Sequence, residues 1–233
     1  MSNKWEVFIN QFITKEAYKN VIDGLGVTLT VAVLGLILGI AIGTLLAITK
    51  VVPQYKIGAK IASKITSCYV ALFRGTPMVV QLLVGYFVLL PALNIQTSNL
   101  NVAIAVFGLN SGAYICEIMR SGIQSVDKGQ MEAGRAVGLS FATTMIKVVI
   151  PQAIKNILPT MGNEFIVLIK ETSVLSFIAV VDLTKAFVNI GNANYEFIVP
   201  YLMLAAVYLV LVLIITALIR LMERRLNRSD RRS

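Results

Sequence analysis

A chain of 233 residues that is 57% hydrophobic and only 14% charged, with a mean hydropathy of +0.78, is too apolar for a water-soluble globular domain. Its net charge of +9 comes without aromatic interleaving or a groove-reading motif, which disfavours nucleic acid as a partner and fits membrane orientation and anionic lipid headgroups. Its 2 cysteines lie in apolar segments and histidine is absent, so disulfide frameworks, transition-metal sites and hydrolases of the Ser/His/Asp or Cys/His kind are poor readings.

In chain order, Trp5, Phe8, Ile9, Phe12 and Ile13 repeat at helical spacing among Glu6, Asn10, Gln11 and Lys15, which predicts an interfacial amphipathic segment over residues 1–20 on the outer leaflet. Residues 25–49 carry no charge; at 1.5 Å per residue they reach roughly 37 Å, enough to cross a bilayer with some tilt. The run lacks the basic start and small-residue cleavage pattern of a removable signal, so it is read as a retained helix. Within it Gly35, Gly39 and Gly43 recur every four residues and offer bare backbone to a neighbouring helix, a packing role rather than a ligand role. From Gly75 to Cys116 no charge occurs, a stretch too long for one helix; Pro91 and the polar residues 94–101 mark the expected turn. A last uncharged run spans residues 197–219.

The sequence therefore predicts an all-α integral membrane protein with five transmembrane helices, near residues 21–49, 59–91, 101–123, 145–180 and 196–222. Lys and Arg concentrate in residues 50–74, residues 120–155 and the tail from Arg220 to Arg232. Basic residues stay on the cytoplasmic side of short loops, so the N-terminus is expected outside and the C-terminus inside. The second and fourth windows exceed one span: Lys60 and Lys64 fall at the inner end of the second, while Pro151 and Pro159 are possible kinks in the fourth. The organisation expected is the segment 1–20, a membrane domain over 21–225 with a cytoplasmic loop at 124–144, and a basic cytoplasmic tail at 226–233.

That loop is too polar for lipid and too patterned for a plain linker. Asp127 can cap a short helix, with Gln130 reaching back to it, and Gly138 can end the helix in a left-handed conformation. Glu132 and Arg135 give it opposite charges, and Met131, Ala133, Ala136 and Val137 give it apolar or small positions.

Glu132-Ala133, then Gly138, then Val148-Val149-Ile150-Pro151 resembles the EAA loop of ABC importer permeases in both residues and spacing. Three further stretches resemble the polar amino-acid branch of that family: Gly24 to Leu29, Phe73 to Leu82, and Leu158 to Ile166 followed by Lys170 to Ser173. Gly134 departs from the pattern, standing where the loop commonly has its second Ala, at an expected cost of up to about 1 kcal/mol in helix stability. The resemblance implies a type I ABC importer-like fold. It also implies that the loop is a coupling helix docking on a separate ABC ATPase, with Asp127, Glu132, Ala133, Arg135 and Gly138 as the coupling residues. No Gly-x-x-x-x-Gly-Lys-Ser/Thr stretch occurs, so the chain is expected to hold no cofactor, ATP and Mg being bound by that partner. A second permease subunit, identical or homologous, and an extracytoplasmic amino-acid-binding protein complete the expected assembly in a prokaryotic inner membrane.

Charges at membrane depth usually line a cavity or pair with each other. Glu164 and Glu171 are seven residues apart and share a helix face, where they can receive an ammonium or guanidinium. The alternatives are a bond from Glu164 to a neighbouring helix and a place for Lys170 and Glu171 at the outer interface. Asn110 and Thr76 interrupt apolar helix with polar groups, as where backbone lines a polar path, although Gly75 and Pro77 beside Thr76 also suit a simple kink. The resemblance implies an importer for polar amino acids, and the two carboxylates suggest cationic ones such as arginine, lysine or histidine. The competing classes are a gradient-driven secondary transporter or channel, and a membrane scaffold without a path.

Overall fold

The computed structural model describes residues 2–230; the side chains of Ser2 and of residues 225–230 lie outside the described set, and with them those of the expected basic tail at 226–233. All regular structure among the described residues is helical. The helices are α1 (Ser2–Ile9), α2 (Ala17–Val51), α3 (Ile57–Arg74), α4 (Met78–Val84), α5 (Leu90–Ala92), α6 (Asn99–Gln124), α7 (Lys128–Ala136), α8 (Phe141–Thr144), α9 (Ile150–Glu171), α10 (Leu183–Asn194) and α11 (Ile198–Asp230). Single π-helical turns follow α1, α4 and α8, and a 3-10 turn, Thr172–Ile178, follows α9.

Among the described residues, three helices are long and apolar enough to cross a membrane: Ala17–Val51, Asn99–Gln124 and Ile198–Arg224; the broken pair Ile57–Arg74 and Met78–Ala92 makes a fourth if counted as one span. The break falls at Gly75-Thr76-Pro77, where Pro77 has a fixed φ and no amide to continue the hydrogen-bond ladder. The fourth expected window, 145–180, holds α9, which is not among these candidates. It carries Lys155, Glu164, Lys170 and Glu171, yet Ile157, Leu168 and Ile169 are buried. A helix shielded by protein does not need an apolar surface all round. Pro151 directly follows the π-helical turn Met145–Val149 in a helical run continuous from α8, the kind of bulge that accompanies an interrupted hydrogen-bond ladder, and Pro159 is accommodated inside the continuous helix.

The chain forms two compact units. The first takes residues up to Ile37, Thr76–Gly108 and Phe165–Ile215; the second takes Leu38–Gly75, Leu109–Glu164 and residues from Thr216 onward.

The core of the first unit joins Phe8, Ala17, Val21, Leu183, Phe187, Ile190 and Val199. Phe8 stacks on Phe12 at 5.2 Å, and Lys4 pairs with Glu196 at 3.3 Å, so α1 is docked on protein by one face. Trp5 and Ile9 of α1, and Ile13 in the π-helical turn that follows it, are left exposed. Helix α10 was not anticipated. It starts at Asp182, whose carboxylate accepts from the amides of Thr184 and Lys185 at 3.0 and 2.9 Å, an N-cap that the local sequence does offer. Burial pushes the Asp182 carboxyl up, and those amides oppose the shift. Thr28 fixes the start of α10 by accepting from the Leu183 amide at 3.2 Å.

In the second unit, α2 meets α6 along the glycine face. A Cβ on Gly39 would lie 2.5 Å from Ser111 Oγ, and one on Gly43 2.6 Å from Ile115 Cβ, so only bare backbone permits this approach. Ala47, Val70, Ala113 and Cys116 pack beside that seam. Thr49 and Thr66 hydroxyls meet at 2.8 Å, and Lys50 donates to Ser67, joining the end of α2 to the middle of α3.

Candidate functional site

Helix α7 runs Lys128–Ala136 behind the Asp127 cap, whose Oδ1 accepts from the Gly129 amide at 2.6 Å. Gly138 has φ +87°, a left-handed conformation that costs other residues about 1 to 2 kcal/mol. The amides of Gly138 and Leu139 close back on the carbonyls of Arg135 and Gly134, both at 3.1 Å, and Arg135 Nη1 donates to the Leu139 carbonyl at 3.0 Å. Gln130 differs from expectation: its Oε1 accepts from Gln152 Nε2 on α9 at 3.1 Å. A second link runs from Asn156 Nδ2 of α9 to Ser125 Oγ at 2.8 Å. The segment is thus hydrogen-bonded to α9 on one side, while Asp127, Glu132, Ala133, Arg135 and Gly138 are exposed and Val137 is 78% exposed.

Gly134 has a packing explanation. It is buried, and a Cβ there would meet the side chain of Thr144, itself fully buried. The space an Ala would fill in this loop is occupied by Thr144.

The membrane-depth candidates separate. Asn110 and Glu164 are buried and belong to the second unit. Thr76 and Glu171 belong to the first. Thr76 is exposed and engaged locally, since Gln81 Nε2 donates to its hydroxyl and its carbonyl at 2.9 and 3.0 Å. Glu171 is half-buried and Lys170 exposed.

Sequence reasoning overlooked Glu117, the first charge after the uncharged stretch that ends at Cys116. Glu117 bonds Arg120 at 2.7 Å and lies 3.9 Å from Arg74. Arg74 and Arg120 enter the sequence reading only through the basic segments 50–74 and 120–155. That a carboxylate on one helix meets a guanidinium 43 positions earlier is invisible in local pattern.

A family model described as the binding-protein-dependent transport system inner membrane component matches residues 39–228. The chain is 36% identical to the arginine transport system permease protein ArtQ of Bacillus subtilis (strain 168), over 90% of this chain and 94% of that protein. It is also 36% identical to the glutamine transport system permease protein GlnP of Escherichia coli (strain K12), over 88% and 92%. Among solved structures, a crystal structure of an amino acid ABC transporter with histidines superposes with a TM-score of 0.83 at 38% identity, covering 91% of this chain and 96% of that one. An inward-facing MetNI methionine ABC transporter matches in fold alone, with a TM-score of 0.70 at 20% identity over 88% and 94%.

Proposed function

Because the chain belongs to the family of binding-protein-dependent transport system inner membrane components, and is a multi-pass permease subunit of an amino-acid ABC transporter rather than an enzyme, we propose that α7 couples it to a separate ATPase and that its solute is a cationic amino acid. In this reading Glu132, Ala133, Arg135 and the Gly138 stop dock in the partner ATPase, and the Gln130–Gln152 hydrogen bond, with that of Ser125 and Asn156 just before the helix, passes the movement to α9. Two permease subunits, identical or homologous, stand side by side in a prokaryotic inner membrane with their N-termini outside. An external binding protein delivers the solute. ATP-driven closure of the ATPase pair then changes the tilt of the bundles.

The observation that carries the reading is a polar helix, exposed on the residues of the family motif, hydrogen-bonded to the same α9 that buries Glu164. A buried carboxylate is a receptor for ammonium or guanidinium, and Asn110, buried in the same unit, is a polar partner for the rest of the solute. The name of one relative points to arginine and that of another to glutamine, so charge at the solute side chain is the property to test.

Proteoliposomes holding the full transporter test both parts. Gly138→Val, which places a β-branched residue at φ +87°, is expected to separate ATP hydrolysis from uptake while leaving insertion intact; normal uptake overturns the coupling role. Glu164→Gln is expected to lower arginine uptake about tenfold more than glutamine uptake, about 1.4 kcal/mol of lost charge recognition. Equal loss of both solutes overturns the receptor role.

A further inference from the structure

Five polar residues of α6 fall on one face. Asn110, Tyr114, Glu117, Ser121 and Gln124 are spaced alternately four and three apart, which keeps them within about 80° of arc. Exposure rises along the stripe, from buried Asn110 through half-buried Tyr114 and Glu117 to exposed Ser121 and Gln124. A stripe of this kind on a helix of membrane-spanning length does not face hydrocarbon, where unsolvated polar groups cost several kcal/mol each.

One level of the stripe is charged. Arg120 is fully engaged with α6 itself, giving Glu117 bonds of 3.0 and 2.7 Å and Gln124 one of 2.7 Å. Arg74 is held more loosely. It lies 3.9 Å from the Glu117 carboxylate, its guanidinium sits 5.3 Å from the centre of the Tyr114 ring, and its side chain is 46% exposed. Two guanidiniums against one carboxylate leave a positive charge in excess. Arg74 also stands about 10 Å further along α3, at 1.5 Å per residue, than Ser67, which accepts from Lys50 at the end of α2.

We propose that Arg74, poised between Tyr114 and Glu117, is a station on a polar lane along α6, where a zwitterionic amino acid in transit sets its carboxylate on the Arg74 guanidinium and its ammonium on Glu117. Forked N–H groups and a carboxylate match in geometry, and a half-exposed ion pair at 3.9 Å is weak enough to be exchanged. The inference rests on the reading of the solute as an amino acid and adds a group that recognises what all amino acids share, whereas Glu164 reads the side chain.

The test uses the full transporter with Cys68 and Cys116 replaced by Ala, and single cysteines at Tyr114→Cys and Ser121→Cys. Inside-out vesicles are treated with anionic and cationic membrane-impermeant methanethiosulfonates, with rates normalised to a free thiol. Both positions are expected to react, with the anionic reagent favoured by about threefold or more through the excess positive charge. Arg74→Gln removes that preference and lowers uptake of arginine and glutamine by a common factor of about ten. Loss of arginine uptake alone would sink the station while leaving the Glu164 reading standing. Failure of both cysteines to react means that the stripe is closed against protein. Reaction without anion preference in the Arg74 background means that Arg74 attracts no anion. Each of these two results overturns the proposal even if Arg74→Gln fails to reach the membrane.

Discussion

Helices α6 and α11 are each long enough to cross a bilayer and are made of opposite material. Over their most apolar windows the mean hydropathy is 1.6 for Asn99–Gln124 and 3.0 for Ile198–Arg224, while 61% of the first window and 6% of the second is buried in the protein. In water this order would be reversed, since the most apolar helix would be the most buried. Here α11 presents Leu202, Leu209, Leu213 and Leu218 outward, as lipid tails favour. Helix α6 uses the protein interior to shelter Asn110 and Ser111 and to pair Glu117. Close packing in a membrane comes from small residues rather than from a hydrophobic drive, and the Gly39–Ser111 and Gly43–Ile115 approaches supply it for α6.

The comparison breaks most easily at a charge. Leu209→Asp, at a position 60% exposed on α11, is expected to cost about 3 kcal/mol of insertion, read as loss of membrane-integrated protein. Ser121→Asp on the polar stripe of α6 should insert normally; equal loss at both positions means that the two faces meet the same solvent. A smaller effect sharpens the other half of the contrast. Gly39→Ala places a Cβ 2.5 Å from Ser111 Oγ and 3.1 Å from the Ser111 carbonyl carbon. It should cost about 1 to 3 kcal/mol by overpacking, seen as a lower unfolding midpoint in detergent, whereas a midpoint unchanged within error means that the α2–α6 seam is loose.

Much of the fold was legible because span length, charge bias and capping are local. The first, third and fifth windows reappear as α2, α6 and α11, and the Asp127 start and Gly138 stop of α7 are where the residues put them. The residues proposed here to dock on an ATPase, Asp127, Glu132, Ala133, Arg135 and Gly138, follow from motif spacing. Other features depended on partners distant in sequence. Gln130 looked like half of a capping box and instead bonds Gln152. Gly134 looked like a small loss of helix stability and is instead the contact with Thr144. Phe8 belonged to an expected interfacial segment and is buried in a core with Phe187 and Val199. Helix α10 was missed although Asp182 signals its cap, because a search for long apolar runs passes over an amphipathic helix of 12 residues.

By itself the sequence determined that the chain lives in a membrane, roughly where it crosses, and that it carries a capped polar helix with a family's spacing, since hydropathy, charge and turn chemistry act over a few residues. Only the tertiary structure decided which polar groups are sheltered and by what. Glu117 acquires Arg74, and Gly39 acquires Ser111, through the packing of α3 and α2 on α6. The reason is physical: the cost of a charge in hydrocarbon is set by the partner that folding brings to it, and that partner lies tens of residues away.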